Sequence, residues 1–449
     1  MTDCFGDWRD ALARFAVTPA GDAVIAPTRR SGARATAGIE ATVAVVGAGV
    51  VGLAVARRLA EEVDNVLLIE AGAPRFGTSM TNAGHLVASH VLPFARPGLV
   101  RWGVASLARH DGAFAFNPRH LATLLPWFTG FVRSCSQYNL ARATPAISWL
   151  ARTSSQELDK LVSSTGRPAT RSDGLLEVYF SPRTLKAGRR HANELAHLGV
   201  RHKEVDASSV LASSPLVRIR PIGALRFCDD RSLDPGQLWE TLKADSAARG
   251  VGLLLATVTR VAQGYRGVTI ETDVGTVRAG HVIIAAGAWS AGLTRGMGAR
   301  ICMAAAKGYS VTLQGPQARL AEPMLLSDPH LAINPLAQGL RVSARYEVTA
   351  PSDRRLKRAQ VKALLERAAR YLDIGDGSTL TYAWTGNRPA TSDGFPVIGR
   401  MPVAPEIVVC SGHGMTGSST ALGSAVLVAD LVAGRPVPSE LAVLAPGRR

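Results

Sequence analysis

The 449-residue sequence predicts an α/β fold of two interleaved domains, and three observations indicate it. A strand, a glycine-rich turn and a helix follow one another at residues 43–60, and the same order returns at residues 406–434. Between these two units, residues 97–204 have mainly helical patterns, whereas short strand patterns predominate over residues 309–347. A chain of this length also exceeds one simple domain. We therefore expect one domain built from both ends of the chain and an α+β domain inserted into it.

The first glycine turn lies in the stretch VAVVGAGVVGLAVARRLAEEVDNVLLIEAG, residues 43–72, and predicts a dinucleotide site. Residues 43–46 are an apolar, β-branched run typical of a buried parallel strand, and a G-x-G-x-x-G pattern follows at once. An amphipathic helix and a second strand, residues 66–69, then lead to Glu70. Such an acid can accept both hydroxyls of an adenosine ribose, while the glycines let the backbone approach a pyrophosphate at the helix N-terminus. The alternative is an ordinary strand, turn and helix. The glycines are Gly47, Gly49 and Gly52.

A second glycine turn, GHGMTG at residues 412–417, precedes the last predicted helix. The N-terminus of such a helix exposes free N–H groups and carries about half a positive charge. It can therefore face the anionic part of a bound ligand. The alternative is a glycine-rich helix start without a ligand.

Composition and charge exclude several classes of protein. No apolar run reaches the roughly 18 to 20 residues of a membrane span, and the N-terminus lacks a basic start followed by an apolar core, so we expect a cytoplasmic protein. The net charge of +16 comes mainly from scattered arginines, with seven lysines, which is not the clustered pattern of a nucleic-acid binder. The five cysteines are far apart and form no C-x-x-C pair, so neither a disulfide framework nor a metal site is expected.

The element patterns also predict domain boundaries. Residues 1–40 are expected to be an N-terminal extension with a short helix at residues 8–15. Residues 354–372, RRLKRAQVKALLERAARYL, predict an amphipathic helix with a solvated basic face, and contact with an anionic membrane or a partner is the alternative. The first domain is expected to comprise residues 41–96, 205–300 and 383–449, and the second domain residues 97–204 and 301–382.

With these segments placed, residues 41–437 resemble the D-amino-acid dehydrogenase branch of the FAD-dependent oxidoreductases that share the D-amino-acid oxidase (DAO) type of fold. The resemblance implies a Rossmann-like FAD-binding domain interleaved with an α+β substrate-binding domain built on a mostly antiparallel sheet. It also implies noncovalent FAD, because the cysteine that tethers flavin in some relatives falls near residues 382–400, where this chain has none. Besides the first turn, the similarity is carried by TSMTNAGHLVASHVLPFARPG at 78–98, AAKGYSVTL at 305–313, AWTGNRPATSDGFPVIGR at 383–400 and GHGMTG at 412–417.

The resemblance assigns the residues expected to contact FAD. In the loop at residues 78–84, small and polar side chains let the backbone lie against a flat ring system and donate hydrogen bonds, and a plain surface loop is the alternative. The helix after residues 412–417 would face the anionic side of the reduced ring. The full expected set is Gly47, Gly49, Val50, Val51, Gly52, Glu70, Ala71, Thr78, Ser79, Thr81, Asn82, Ala83, Gly84, His85, Leu86, Val258, Ala286, Gly287, Trp289, Arg388, Gly412, His413, Gly414, Met415, Thr416 and Gly417.

The resemblance also implies four catalytic residues: Arg388, Tyr309, Tyr346 and His85. Arg388 offers a planar fork of donors that can hold a carboxylate, although a single arginine taken alone is more often a surface or ion-pair residue. The tyrosines are expected to donate hydroxyls or to cover the substrate, with ordinary core positions as the alternative. His85 is either a titrating base or a hydrogen-bond partner of the cofactor. Relatives commonly have two glycines around Arg345, so a bulkier pocket wall and a substrate contact by Arg345 are further expectations.

The implied activity is FAD-dependent oxidative deamination of a D-amino acid or a cyclic secondary amino acid. The α-hydrogen passes as hydride to flavin N5, and the resulting imine hydrolyses to a 2-oxo acid. Oxygen or a quinone would accept the electrons, and peripheral contact with the inner face of a membrane, a homo-oligomer or a partner subunit all stay open. The alternatives are an opine or other N-substituted amino-acid oxidase, an amine-oxidising flavoenzyme of a biosynthetic pathway, a flavin-binding subunit without its own chemistry, and a nicotinamide-dependent enzyme.

Overall fold

The protein is described by a computed structural model that covers residues 39–72, 77–107, 112–315, 320–374 and 378–448. The helix expected at residues 8–15 lies outside these ranges. The strands are β1 (Ile39–Val46), β2 (Val66–Glu70), β3 (His85–Leu86), β4 (Phe114–Phe116), β5 (Thr170–Arg171), β6 (Leu175–Tyr179), β7 (His202–Val205), β8 (Gly223–Phe227), β9 (Arg231–Leu233), β10 (Gly252–Leu255), β11 (Val258–Gln263), β12 (Val268–Thr272), β13 (Gly275–Ile284), β14 (Met303–Gln314), β15 (Met324–Leu326), β16 (Leu331–Leu336), β17 (Gly339–Thr349), β18 (Thr379–Thr391), β19 (Val397–Met401) and β20 (Ala404–Ser411). The helices are α1 (Val50–Leu59), α2 (Thr78–Thr81), α3 (Leu99–Leu107), α4 (Leu121–Ser134), α5 (Gln137–Thr165), α6 (Pro182–Ala196), α7 (Ala207–Ser213), α8 (Pro235–Ala248), α9 (Ser290–Leu293), α10 (Arg358–Tyr371) and α11 (Gly417–Val432).

The first sheet contains both predicted glycine turns at the ends of its strands. Strands β10, β2, β1, β13 and β20 lie side by side and parallel, and β19 closes one edge in the antiparallel direction. Alternate residues of β1 face opposite sides. Val43 and Val45 pack with α1, α5, α8 and α11, whereas Ala44 and Val46 pack with the β11–β12 hairpin. Both faces are covered, which explains the continuous apolar run in the sequence.

The second sheet is mostly antiparallel, as expected. Its order is β18, β14, β17, β16, β15, β6, β8 and β7, and the parallel pairs are β6 with β15 and β4 with β17. The expectation of short strands over residues 309–347 is wrong for β14 and β17, which contain 12 and 11 residues. Almost every residue of these strands is buried, so the sequence lacks the polar alternation that would reveal their length. The α/β class with an inserted α+β domain is confirmed.

The two faces of the second sheet have different coverings. Tyr309 and Val311 of β14 share an apolar cluster with α10, which is the amphipathic helix expected at residues 354–372. Ala304 and Ala306 point the other way and share a cluster with α4 and with aromatic residues such as Phe114. Among the helices that the structure describes, none is long and apolar enough to cross a bilayer.

Three segments lie elsewhere than the expected domain boundaries put them. Strand β8 falls within residues 205–300 but pairs with β6 and β7 in the second sheet. Most of β18 falls within residues 383–449 but pairs with β14. Helix α5, expected in the second domain, packs in the core of the first sheet. An apolar stripe shows that a helix covers a sheet, but it does not show which sheet, because that choice depends on tertiary contacts.

Candidate active site

The first glycine turn combines two glycines that packing requires with one that stays accessible. Gly47 has a φ of +106°, and a Cβ there would lie 2.6 Å from the Ala285 carbonyl oxygen. A Cβ on Gly52 would overlap the carbonyl of Gly47. A Cβ on Gly49 would meet only the Ser79 hydroxyl, at 3.3 Å. The turn is therefore closed on its inner side and open at Gly49, which is the arrangement that lets a pyrophosphate approach the backbone.

Helix α1 starts at this turn without a side-chain cap at Gly49. Three contacts hold its start. The Val50 N–H donates to the Ser79 hydroxyl at 2.9 Å, the Ala48 N–H donates to the Glu70 carboxylate at 2.6 Å, and the Trp239 indole N–H donates to the Ala48 carbonyl at 2.8 Å. Val51 completes this first turn. The carboxylate of Glu70 thus lies beside the glycines at the carboxyl end of β2, where the resemblance puts the ribose.

The loop that includes α2 contacts both the second sheet and α11. The Thr78 hydroxyl donates to the Asn387 carbonyl at 3.2 Å, and the Asn82 amide donates to the Ser418 hydroxyl at 3.3 Å. At the far end, a Cβ on Gly84 would overlap the Leu233 carbonyl, and φ there is +76°. Further hydrogen bonds hold the loop in place. The Thr81 hydroxyl donates to the Gly77 carbonyl inside the loop. From the second sheet, the Asn334 amide donates to the Ala83 carbonyl, and the Arg341 guanidinium donates to the carbonyls of Met80 and Asn82.

His85 follows this loop and is held as a neutral imidazole. Its Nε2 donates to the Ile333 carbonyl at 3.0 Å, which fixes the tautomer. Burial lowers the pKa of His85 to about 4. At neutral pH the ring therefore carries no charge and holds β3 against β16, while the neighbouring Leu86 is buried. This environment argues against the role of titrating base, and the expected hydrogen bond between His85 and the cofactor stays a prediction.

The second glycine turn joins α11 to β18. Gly412 and Gly414 have φ values of +81° and +54°, and the Gly414 N–H donates to the Pro389 carbonyl at 2.8 Å. His413 between them is buried, contacts the Ser424 hydroxyl at 3.0 Å, and has its pKa lowered by burial to about 4. The Thr416 hydroxyl donates to the His413 carbonyl at 2.9 Å. The turn therefore fixes the start of α11 at Gly417 and contacts β18 at Pro389, the residue after Arg388.

Arg388 projects from β18 over Gly308 of the neighbouring strand. A Cβ on Gly308 would overlap the guanidinium group, so the arginine side chain can occupy this position only because residue 308 is glycine. One guanidinium nitrogen donates to the Arg345 carbonyl at 3.1 Å. Within the described ranges, the Arg345 carbonyl is the protein acceptor of this guanidinium, which leaves its other nitrogens available to a ligand. Burial lowers the pKa of Arg388, but the group remains a cation at any physiological pH.

Tyr346 lies on the same face of the sheet as Arg388. Its ring stacks on Phe94 with centroids 4.4 Å apart and lies 6.2 Å from Phe114. Burial raises the pKa of its hydroxyl. Neither Phe94 nor Gly308 was singled out from the sequence, although Gly308 stands in the segment KGYS and Phe94 in the segment LPFARPG that carried the resemblance. Strand pairing brings Gly308 next to Arg388, and packing of the loop at residues 92–98 brings Phe94 onto Tyr346.

Tyr309 is not at this site, contrary to expectation. Its side chain lies on the opposite face of β14, in the cluster under α10, and its hydroxyl donates to the Glu347 carboxylate at 3.2 Å. Successive residues of a strand face opposite sides, so Gly308 and Tyr309 cannot both face Arg388. Arg345, with a φ of +75°, directs its guanidinium to the Gly112 carbonyl at 3.4 Å and supports Arg388 through its own carbonyl.

The other expected cofactor residues lie along the carboxyl edge of the first sheet. The Ser411 hydroxyl donates to the Gly287 carbonyl at 2.9 Å, which ties β20 to the turn after β13. Trp289 and Met415 are exposed, and the Arg354 guanidinium lies 5.7 Å from the Trp289 ring. Ala71, Ala286 and Val258 lie next to β2, after β13 and at the start of β11, respectively.

The geometry fits FAD. Two helix N-termini, an acid at the end of β2 and a loop of small polar residues are joined by direct hydrogen bonds from Val50 through Ser79 and Asn82 to Ser418. Each helix terminus favours negative charge, and the accessible backbone at Gly49 suits a phosphate.

Comparison with known proteins agrees with this geometry. Residues 42–431 match the family model described as DAO, FAD dependent oxidoreductase. A D-amino acid dehydrogenase from Cereibacter sphaeroides is 31% identical over 428 residues, covering 91% of this chain and 96% of that protein. Among solved structures, glycine oxidase from Geobacillus kaustophilus aligns with a TM-score of 0.72 at 23% identity, over 92% of this chain and 99% of that chain. L-proline dehydrogenase from P. horikoshii aligns with a TM-score of 0.69 at 17% identity, over 91% and 98% of the two chains. The chain therefore belongs to the DAO family of FAD-dependent oxidoreductases and is a flavoenzyme.

Proposed function

We propose that this flavoenzyme oxidises D-amino acids, including cyclic secondary ones, to imines that hydrolyse to 2-oxo acids. The observation that carries the proposal is Arg388, a half-buried cation with donors free of protein partners beside the start of α11. The D-amino acid dehydrogenases at about 30% identity support the same substrate class. Bound FAD would supply the hydride acceptor, and the residues of this chain would place the substrate.

Arg388 would hold the substrate carboxylate. A guanidinium offers two parallel N–H donors to a carboxylate, and such charge-assisted pairs are stronger than neutral hydrogen bonds. The Arg345 carbonyl fixes the guanidinium on one side, and Gly308 leaves it space on the other. A carboxylate fixed at two points leaves the α-carbon with little freedom, and such restriction is what brings a reacting atom into a near-attack geometry.

Tyr346 and Phe94 would form the apolar wall next to this anchor. Their stacked rings would exclude water from one side of Arg388 and so strengthen its attraction for a carboxylate. A protein base is not required for transfer of the α-hydrogen as hydride once the amine is neutral. His85, with its pKa lowered to about 4 and its Nε2 engaged, would position the chain rather than exchange a proton.

The first turn of α11 would stabilise negative charge that develops on the cofactor side of the site. Its Ser418 and Ser419 hydroxyls accept hydrogen bonds from the Asn82 amide and the Val87 N–H, so this end of the helix is held in place. A fixed helix N-terminus stabilises charge without reorganising during the reaction.

Anaerobic mixing with a panel of D-, L- and N-substituted amino acids tests the proposal. We expect D-amino acids to bleach the flavin absorbance and L-amino acids to leave it unchanged. N-substituted amino acids belong in the panel because the same arginine could hold their carboxylate in an opine oxidase or a biosynthetic amine oxidase. Bleaching by these compounds alone would replace the proposal with that alternative, and no bleaching by any amino acid would refute it. Admission of air would then distinguish an oxidase from a dehydrogenase that uses a quinone.

A further inference from the structure

The face of the second sheet that carries Arg388 extends as far as β6. Successive residues of a strand alternate between faces, so Trp384, four residues before Arg388 on β18, shares its face. Residues opposite each other on neighbouring strands also share a face, and pairing continues from Trp384 in one row to Glu177 on β6. The row consists of Trp384, Ser310, Ser343, Ala332, Leu325 and Glu177. From β17, which carries Tyr346, to β6 this face is about 14 Å wide.

The loop at residues 85–98 crosses this face. At one end, Phe94 of the loop stacks on Tyr346 of β17. At the other end, Val91 of the loop shares an apolar cluster with Tyr179 of β6. The loop therefore covers the space between the proposed carboxylate anchor and β6, and its side chains can contact a ligand that lies there.

Three polar side chains meet at this loop without hydrogen bonds. Arg96 and His90 belong to the loop, His191 belongs to α6, and all three are half-buried. Among the residues that the structure describes, none of the three side chains has a hydrogen-bond partner, and no carboxylate lies within 4.0 Å of the Arg96 guanidinium. Polar groups withdrawn from water nearly always have partners, and a cation without a counterion is a costly exception. An anion bound between the three side chains would satisfy them all.

The two imidazoles are suited to donate to such an anion. The pKa of His90 is lowered to about 3, first by burial and then by Arg96, His191 and His85. The pKa of His191 is lowered to about 4 by burial and by Arg96. Both rings are therefore neutral at physiological pH, and each can donate one N–H to an anion beside the arginine.

The acidic groups near Arg96 leave its donors available. The groups that act on its charge are Glu177, Glu194 and the Cys135 thiol. The Glu177 carboxylate accepts from the Ser327 hydroxyl at 2.7 Å, and burial raises the pKa of Glu177, which favours its neutral form. Glu194 is exposed to solvent on α6. Within the described residues, neither carboxylate forms an ion pair with Arg96, so its guanidinium can pair with a ligand.

We propose that Arg96, with His90 and His191, forms a second anion subsite that binds a carboxylate at the end of the substrate's side chain. The substrate class is then D-amino acids with a terminal acid group, of the length of D-glutamate or longer. The choice of substrate class rests on the proposed function, whereas binding of a dicarboxylate between Arg388 and Arg96 does not require turnover. A site built to pair a charged group discriminates strongly against an analogue that lacks it.

Dye-linked turnover of the holoenzyme with acids and their amides tests the subsite. The acids are D-glutamate, D-2-aminoadipate and D-2-aminopimelate, and each ω-amide differs from its acid only in the terminal group. We expect at least one acid to exceed its amide about tenfold or more in kcat/KM. Arg96→Gln should lower kcat/KM for that acid about 10- to 100-fold and for the amide less than about threefold. His90→Phe removes one neutral donor and should lower the acid-to-amide ratio about threefold.

Arg226→Gln is the matched control for the loss of one positive charge. Arg226 is half-buried in the same sheet, but it lies opposite Leu176 on the face under α10 and forms an ion pair with Glu322. Its replacement should leave the acid-to-amide ratio unchanged. The subsite is overturned if no acid exceeds its amide, if Arg96→Gln lowers acid and amide alike, or if the control lowers the ratio as much as Arg96→Gln does.

Binding of unreactive acids separates the subsite from the proposed function. Adipate has two carboxylates and no amine, and hexanoate is the monocarboxylate of equal length. Titration of the flavin absorbance should show adipate binding to the holoenzyme about tenfold more tightly than hexanoate, with the difference lost in Arg96→Gln. Absence of flavin bleaching by every D-amino acid would refute the proposed function, and tighter binding of adipate that depends on Arg96 would still support the subsite. Equal binding of the two acids by the wild type would overturn it.

Discussion

Replacement of Gly308 by alanine should lower activity without lowering stability. The new Cβ would overlap the carbon and both terminal nitrogens of the Arg388 guanidinium, so the arginine side chain has to move by about 1 Å or more. A displacement of this size at a substrate-positioning group costs on the order of 100-fold in kcat/KM. The backbone of Gly308 has no positive φ, so alanine fits the strand and should raise the free energy of unfolding by up to about 1 kcal/mol.

Steady-state kinetics with a soluble dye acceptor and thermal unfolding of the holoenzyme measure the two effects. The expected pattern is a large fall in kcat/KM for the amino acid together with an unchanged or higher Tm and unchanged FAD content. Arg388→Lys serves as the comparison, because it keeps the charge but loses the planar fork and should also lose activity. Full activity in Gly308→Ala would refute the assignment of Arg388 as the carboxylate anchor, because displacement of the guanidinium would then have no effect on catalysis.

Three further predictions concern the first glycine turn, Tyr309, and the pH dependence of stability. Gly52→Ala should prevent folding or FAD retention, because its Cβ overlaps the backbone of the turn. Gly49→Ala should fold and only weaken FAD binding, as fluorescence titration with FAD would measure. Equal behaviour of the two variants would contradict the different roles of these glycines. Tyr309→Phe should change kcat/KM less than about threefold and lower the free energy of unfolding by about 1 kcal/mol, since it loses only the hydrogen bond to Glu347; a large kinetic effect in dye-linked assays would restore Tyr309 to the site. Because burial lowers the pKa of His413 to about 4, the unfolded chain binds a proton below about pH 6.5 that the folded chain does not, so acidification from pH 7 to pH 4 should remove up to about 3 kcal/mol of stability through this residue. Urea unfolding of His413→Gln across that range should show a shallower pH dependence than the wild type, and parallel curves would exclude the contribution.

The local motifs could be predicted from the sequence because short-range chemistry decides them. Gly52 is required by the Gly47 carbonyl within the same turn, so the strand, turn and helix unit of β1, α1 and β2 was predictable, although Gly47 is also required by a distant contact with Ala285. The turn before α11 has the same local order of strand, glycine turn and helix. The resemblance then supplied the inserted domain, which the family match confirms.

The site beyond these motifs depends on strand pairing. Whether Tyr309 or Tyr346 faces Arg388 follows from the register of β14, β17 and β18 and from the irregular pairing of β17 around Arg345. A shift of one residue turns every side chain to the other face, and no local pattern in these buried strands reports the register. Helix α5 shows the same limit for helices, because its apolar stripe would suit either sheet.

Anaerobic reduction of the wild type and of Arg388→Leu by one D-amino acid tests whether two helix N-termini hold a single FAD and whether Arg388 presents the substrate to it. We expect a yellow wild-type protein whose flavin bleaches on mixing, and a variant that keeps its FAD but bleaches at least about 100-fold more slowly. A colourless wild type that refuses added FAD, or a variant that bleaches as fast as the wild type, would contradict it.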